Sequence, residues 1–116
     1  MALASGTLQA PYFVIEDLTS QVVTKATLST NEIRLFRYGK MGFFMFRMKG
    51  SFPYSWTNTH QLPIHPPETY STIVSKSNAN GGVAVQLESD GKFSVVPYIT
   101  AYNDWISGQL WFPIED

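Results

Sequence analysis

The sequence predicts an all-β fold, an antiparallel β-sandwich or a barrel-like variant of it. No stretch places apolar residues at i, i+3, i+4 and i+7, whereas several alternate with period two. Pro, Gly, Asn and Ser interrupt the chain at intervals of roughly eight to fifteen residues, the spacing of short strands joined by turns. At 116 residues and 44% hydrophobic content, the chain is long and apolar enough for one domain with its own core.

Taken in order, Met1–Ala10 reads as a flexible N-terminus or linker remnant, and 11–116 as the single β domain. The opening decapeptide lacks the basic start and apolar length of a signal peptide. Tyr12–Ile15 is expected to form a short first strand and Gln21–Leu28 a second. Ile33–Tyr38 and Met41–Lys49 flank Gly39-Lys40, whose leading glycine suits a two-residue type II′ hairpin turn. Residues 50–68 read as a long crossover loop, because Pro53, Pro63, Pro66 and Pro67 deny donors to a central strand.

Thr69–Ser75 resumes the strand pattern, and Ser77–Gly82 is a polar turn. Val83, Val85 and Leu87 then alternate with Ala84, Gln86 and Glu88, which puts an apolar face on one side. Asp90-Gly91 is a type I′ hairpin signal, since both central residues of that turn need φ > 0. Phe93 and Val95 continue the inward face. Trp105–Phe112 closes the domain, with Gly108 marking a bulge or a close backbone approach. The expected core is Val83, Val85, Leu87, Phe93, Val95, Ile106 and Leu110.

Composition narrows function. The net charge of −1 argues against a protein that coats nucleic acid through its overall charge. With no cysteine there is neither disulfide nor thiolate metal site, and no 18-residue apolar run offers a membrane helix. Aromatic residues make up 15%, matching the charged fraction. That balance suggests apolar surface buried in an assembly, or aromatic ligand platforms. Segment 33–67 holds Arg34, Arg37, Lys40, Arg47 and Lys49, five of the eight basic residues, and no acidic one.

From residue 28 to the end, the order of motifs resembles the head, or receptor-binding, domain of bacteriophage tail-fibre and baseplate proteins, lactococcal phages among them. The matching positions are Arg37-Tyr38-Gly39, Gly50, Leu62-Pro63 with Pro66-Pro67, Asp90-Gly91, and Trp105-Ile106-Ser107-Gly108, followed by Trp111–Asp116. The family's corner usually carries Arg-Pro where this chain has His65-Pro66, so that arginine's role does not transfer. The resemblance implies a β-sandwich or barrel-like head, a homotrimer, adhesion to bacterial cell-wall or surface polysaccharide, and a place at the phage tail tip. It also implies other tail or baseplate proteins as partners, reached through an N-terminal stem.

A sugar site needs an aromatic face for the pyranose C–H surface and planar polar groups for its hydroxyls. Trp56 with Tyr54, Asn58, His60 and Gln61 offers one such set, although the aromatics Phe52, Tyr54 and Trp56 more readily anchor the crossover loop on the sheet. Tyr98, Tyr102, Asn103, Asp104 and Trp105 offer another and the preferred one, with Asp104 accepting paired hydroxyls; a core Trp105 beside a simple turn is the alternative.

Arg34, Arg37, Lys40, Arg47 and Lys49 would attract an anionic polymer through charge-assisted hydrogen bonds, or serve as a solvated strand edge. The same hairpin, 34–49, could bind single-stranded nucleic acid, with Tyr38, Phe43, Phe44 or Phe46 as stacking platforms. A purely structural virion module is the remaining alternative.

Catalysis is not expected. No pair of carboxylates is placed for glycoside hydrolysis, no Gly-x-Ser-x-Gly elbow occurs, and no glycine loop precedes Lys-Ser/Thr. His60 and His65 lack the third ligand a metal site needs, and no cofactor is expected.

Overall fold

The computed structural model describes residues 15–53, 55–75, 82–97 and 102–115, with the backbone alone for 73–75 and 102–104. Its elements are β1 (Ile15–Asp17), a 3-10 turn (Thr19–Gln21), β2 (Val23–Thr24), β3 (Leu28–Tyr38), β4 (Met41–Phe52), β5 (Thr57–Gln61), β6 (Tyr70–Ser75), β7 (Gly82–Leu87), β8 (Lys92–Pro97) and β9 (Tyr102–Pro113). They form two antiparallel sheets, ordered β1-β3-β4-β9 and β2-β5-β8-β7-β6. The all-β expectation holds, with one core shared between the two sheets as in a sandwich.

The long β3–β4 hairpin is the spine of the first sheet. Tyr38 pairs with Met41, so Gly39-Lys40 is the two-residue turn, and Gly39 takes the φ of +60° that only glycine adopts freely. Along β4 the even-numbered residues are buried and the odd-numbered ones face outward. Phe44, Phe46, Met48 and Phe52 therefore enter the core, where Phe44 and Phe46 each meet Phe93 of the second sheet at 4.9 Å between ring centroids. All seven residues expected in the core are buried.

Several boundaries differ from expectation. Gln21–Leu28 is not one strand. Asp17 Oδ1 accepts the Thr19 N–H, and the Thr19 hydroxyl accepts the Leu35 N–H, so the chain bends through the 3-10 turn before the two-residue β2. Of Tyr12–Ile15 only Ile15 falls within the described residues, and it opens β1.

The crossover loop is shorter than expected. β4 runs on to Phe52, and Thr57–Gln61 forms β5, paired with β2 on one side and β8 on the other. All five residues of β5 are polar, so no hydrophobic alternation marks them, and the prolines lie outside the strand. A bulge at Thr59 turns two successive side chains, Thr59 and His60, into the core.

The Asp90-Gly91 turn is also one residue longer than a type I′ hairpin. The Gly91 N–H bonds the Glu88 carbonyl and the Glu88 N–H bonds the Lys92 carbonyl, with Gly91 left-handed at φ +88°. That is the three-residue turn with a left-handed last position. No bulge occurs at Gly108, since β4 and β9 pair without a break from Met41↔Pro113 to Phe52↔Tyr102.

Gly42 faces inward on β4, and a Cβ there would lie 2.4 Å from the buried Phe112 ring. The Gly42→Ala variant should lose about 2–3 kcal/mol of stability, the usual cost of forcing extra volume into a filled core. Urea unfolding checks this, with a midpoint well below that of the parent protein as the expected result.

Candidate functional site

The odd-numbered residues of β4 set the outer face of the first sheet, and their cross-strand partners complete it. Near the Gly39 turn, Ile15, Tyr38, Met41 and Pro113 form one row. Phe36, Phe43 and Trp111 form the next. Then come Arg34, Met45 and Gln109, followed by Glu32, Arg47 and Ser107, and by Thr30, Lys49 and Trp105. Successive rows stand about 7 Å apart, two residues of strand rise. The face thus grades from an aromatic end to a cationic end.

At the aromatic end Trp111 lies 4.4 Å from Phe43 and 5.5 Å from Tyr38, between ring centroids, and stays half exposed. Met41, Met45 and Ile15 are exposed beside it. At the cationic end the Arg47 guanidinium lies 4.0 Å from the Trp105 ring centroid and 3.1 Å from Glu32 Oε1. The Lys49 ammonium is 5.9 Å from the same ring. Arg34 lies over Phe36 at 5.2 Å and 3.9 Å from Asp17 Oδ2. A groove of about 330 Å³ runs between these strands, walled by Glu32, Arg34, Met45 and Arg47.

Two acids, Glu32 and Asp17, therefore share the face with three cations, which reduces its net positive charge to about one. Both ion pairs are solvent-exposed, and such pairs contribute roughly 0–1 kcal/mol. The Asp17 carboxyl is held below its ordinary pKa by hydrogen bonds from the Thr19 hydroxyl and amide, with Arg34 adding a smaller effect.

The structure joins some of the expected site residues and separates others. Trp105, Arg34, Arg47 and Lys49 share the outer face. Arg37 does not: it pairs in register with Gly42 on the opposite face, where it lies 3.9 Å from Glu16 and donates to the Gly39 carbonyl. Trp105 is not a bare sugar platform either, because Arg47 covers one face of its ring. Tyr54 and Tyr98 lie outside the described residues, as do the side chains of Tyr102, Asn103 and Asp104. Trp56 is exposed just ahead of β5, and Asn58 is half-buried with its Oδ1 enclosed.

His60 is the clearest correction. Expected to donate to a ligand from a loop, it is fully buried on β5. Its Nε2 lies 2.9 Å from Asn31 Oδ1, and its Nδ1 lies 2.9 Å from the Thr59 hydroxyl. Asn31 Nδ2 donates to Thr24 Oγ1, which orients the amide so that His60 Nε2 carries the hydrogen. Phe44 and Phe46 are buried as well, which removes two of the four stacking platforms of the nucleic-acid alternative.

Tyr38 and Phe43 are expected from the sequence only as stacking platforms for nucleic acid, and their union with Trp111, Met41 and Met45 in one aromatic end is unexpected. Its signal lay in phase: Arg47 and Lys49 must face solvent, so Met45, Phe43 and Met41, two residues apart, face the same way. Among the described residues no three His, Asp or Glu side chains converge as a metal site would require. No family model matches this chain, and no curated protein or solved structure is detectably similar to it.

Burial lowers the His60 pKa to about 4. The fold thus favours the neutral ring. Stability is full above the unfolded value near 6.5 and falls as the pH drops toward 4, by about 3 kcal/mol in all. Urea midpoints measured from pH 8 to pH 4 should be flat above about 7 and then decline. His60→Leu should be less stable at pH 8, because Asn31 and Thr59 lose their partner, and should lose most of that decline.

Proposed function

We propose that this domain is a non-catalytic adhesion module that holds an anionic surface polysaccharide on the outer face of its first sheet. The observation that carries the reading is the convergence of Arg34, Arg47, Lys49 and Trp105 on one open face, continuous with half-buried Tyr38 and Phe43 and half-exposed Trp111. Guanidinium groups bond phosphate or carboxylate oxygens in pairs, and such bonds are about twice as strong as neutral ones. Trp111, with a half-exposed ring, supplies the flat apolar surface that a pyranose ring stacks on.

The motif order that resembles phage heads suggests where such a module works: at the tail tip, in contact with the host cell. In that setting the domain would be a homotrimer. Three weak sites per head, repeated over several heads, multiply into strong avidity without any single tight contact. The two carboxylates on the face, Asp17 and Glu32, are each paired with an arginine. That favours a structural part for them over acid–base chemistry.

The experiment is binding of labelled protein to cells of a susceptible host and to their purified cell-wall polysaccharide. Arg34→Glu combined with Lys49→Glu should weaken binding by more than about tenfold, the equivalent of losing one or two charge-assisted hydrogen bonds. Trp111→Ala should weaken it independently of salt, whereas the charge variant should remove most of the salt dependence. All these side chains are exposed or half-exposed, so both variants should unfold near the parental midpoint. Binding unchanged by either variant would rule this surface out.

A further inference from the structure

The first sheet ends at β9. β9 pairs with β4 on one side, and among the described residues no strand pairs with its other side. β6 of the second sheet approaches β9 but pairs only with β7. The direction of each main-chain group follows from the register. The two-residue turn makes Tyr38 and Met41 a hydrogen-bonded pair, so odd-numbered β4 residues bond β3 and even-numbered ones bond β9. The Leu18 N–H bond to the Leu35 carbonyl fits the same alternation on the far side of β3. On β9, then, Phe112, Leu110, Gly108 and Ile106 bond β4. Ser107, Gln109 and Trp111 direct their N–H and C=O groups away from it.

We propose that this margin is a self-pairing edge, along which β9 of one copy adds antiparallel to β9 of a second copy. Exposed main-chain donors and acceptors in extended geometry are satisfied by another strand, which is how strand addition works. The register argues for a second copy. A two-fold axis at Gln109 sets Gln109 opposite its own mate and Ser107 opposite the mate's Trp111, a small side chain facing a large one on both sides of the axis. Beyond that, Pro113 stands opposite the mate's Trp105. Proline has no N–H to offer, so the added pairing ends where the uncharged run ends.

Charge agrees with this pairing. From Trp105 to Phe112 the strand carries no Lys, Arg, Asp or Glu, so no like charges meet across the axis. The cations of the outer face lie on β3 and β4. Pairing would merge the two outer faces into one eight-stranded sheet and bring the Trp111 clusters of both copies onto a common surface. This inference does not depend on the adhesion reading.

The test is solution mass by light scattering over a concentration series. The wild-type protein should reach an even number of chains: two, or six if heads also trimerise. Gln109→Lys puts two like charges at the axis and should halve that mass, while circular dichroism remains unchanged. An equimolar mixture of Gln109→Lys and Gln109→Glu should restore it. Gln109→Pro deletes an outward N–H that β4 does not use, so it should also halve the mass and keep the fold, whereas Leu110→Pro should unfold the domain. A wild-type mass of one or three chains at every concentration overturns the proposal, and so does a Gln109→Lys protein that keeps the wild-type mass.

Discussion

Phe93 meets Phe44 and Phe46 at the centre of the molecule, each pair 4.9 Å apart between centroids. These contacts tie β8 to β4 and so hold the two sheets face to face. Aromatic pairs in such tilted and edge-on arrangements contribute about 0.5–1.5 kcal/mol beyond the area they bury. Their larger consequence is phase. Once Phe44 and Phe46 point inward, every even residue of β4 must follow, and every odd one must face solvent. The partners of β4 on β3 and β9 inherit the same division.

A second tie is polar. His60 on β5 hydrogen-bonds Asn31 on β3, and Asn31 continues to Thr24 on β2, so the link crosses between sheets. A buried imidazole costs little when both nitrogens have partners and the ring stays neutral. His60 also lies edge-on to Phe44, 5.7 Å between centroids, which joins the polar tie to the aromatic one. The bulge at Thr59 makes this possible, since a regular strand would turn Thr59 and His60 to opposite faces. The residue type that suggested ligand binding is used here to align two sheets.

The outer face follows from the same constraint. Packing does not require Phe43, Met45 or Trp111 to be apolar, because their positions face away from the core. Isolated exposed apolar residues are ordinary, but a contiguous aromatic surface beside three cations is a feature of interaction surfaces. The edge strand β9 adds main-chain hydrogen bonding along the margin of that surface. Face and edge therefore offer two kinds of recognition, one through side chains and one through backbone.

Alternation and turn chemistry are local properties, so the class of fold, the β3–β4 hairpin with its glycine turn and the seven core positions from Val83 to Leu110 are legible in the sequence. It also placed Arg34, Arg47 and Lys49 on a solvent-facing hairpin, though not their acidic partners: Glu32 lies just ahead of the basic segment, and Asp17 arrives from β1 only after folding. β5 was illegible because five polar residues carry no hydrophobic period, and because the environment that makes Thr59 and His60 core residues comes from β2, β3 and β8. The departure of Arg37 from the basic group, the cover of Arg47 over Trp105 and the joining of Trp111 to Phe43 and Tyr38 come from the assembled fold. Each of these depends on pairings between residues far apart in the chain, and such register is fixed when two sheets close on a common core.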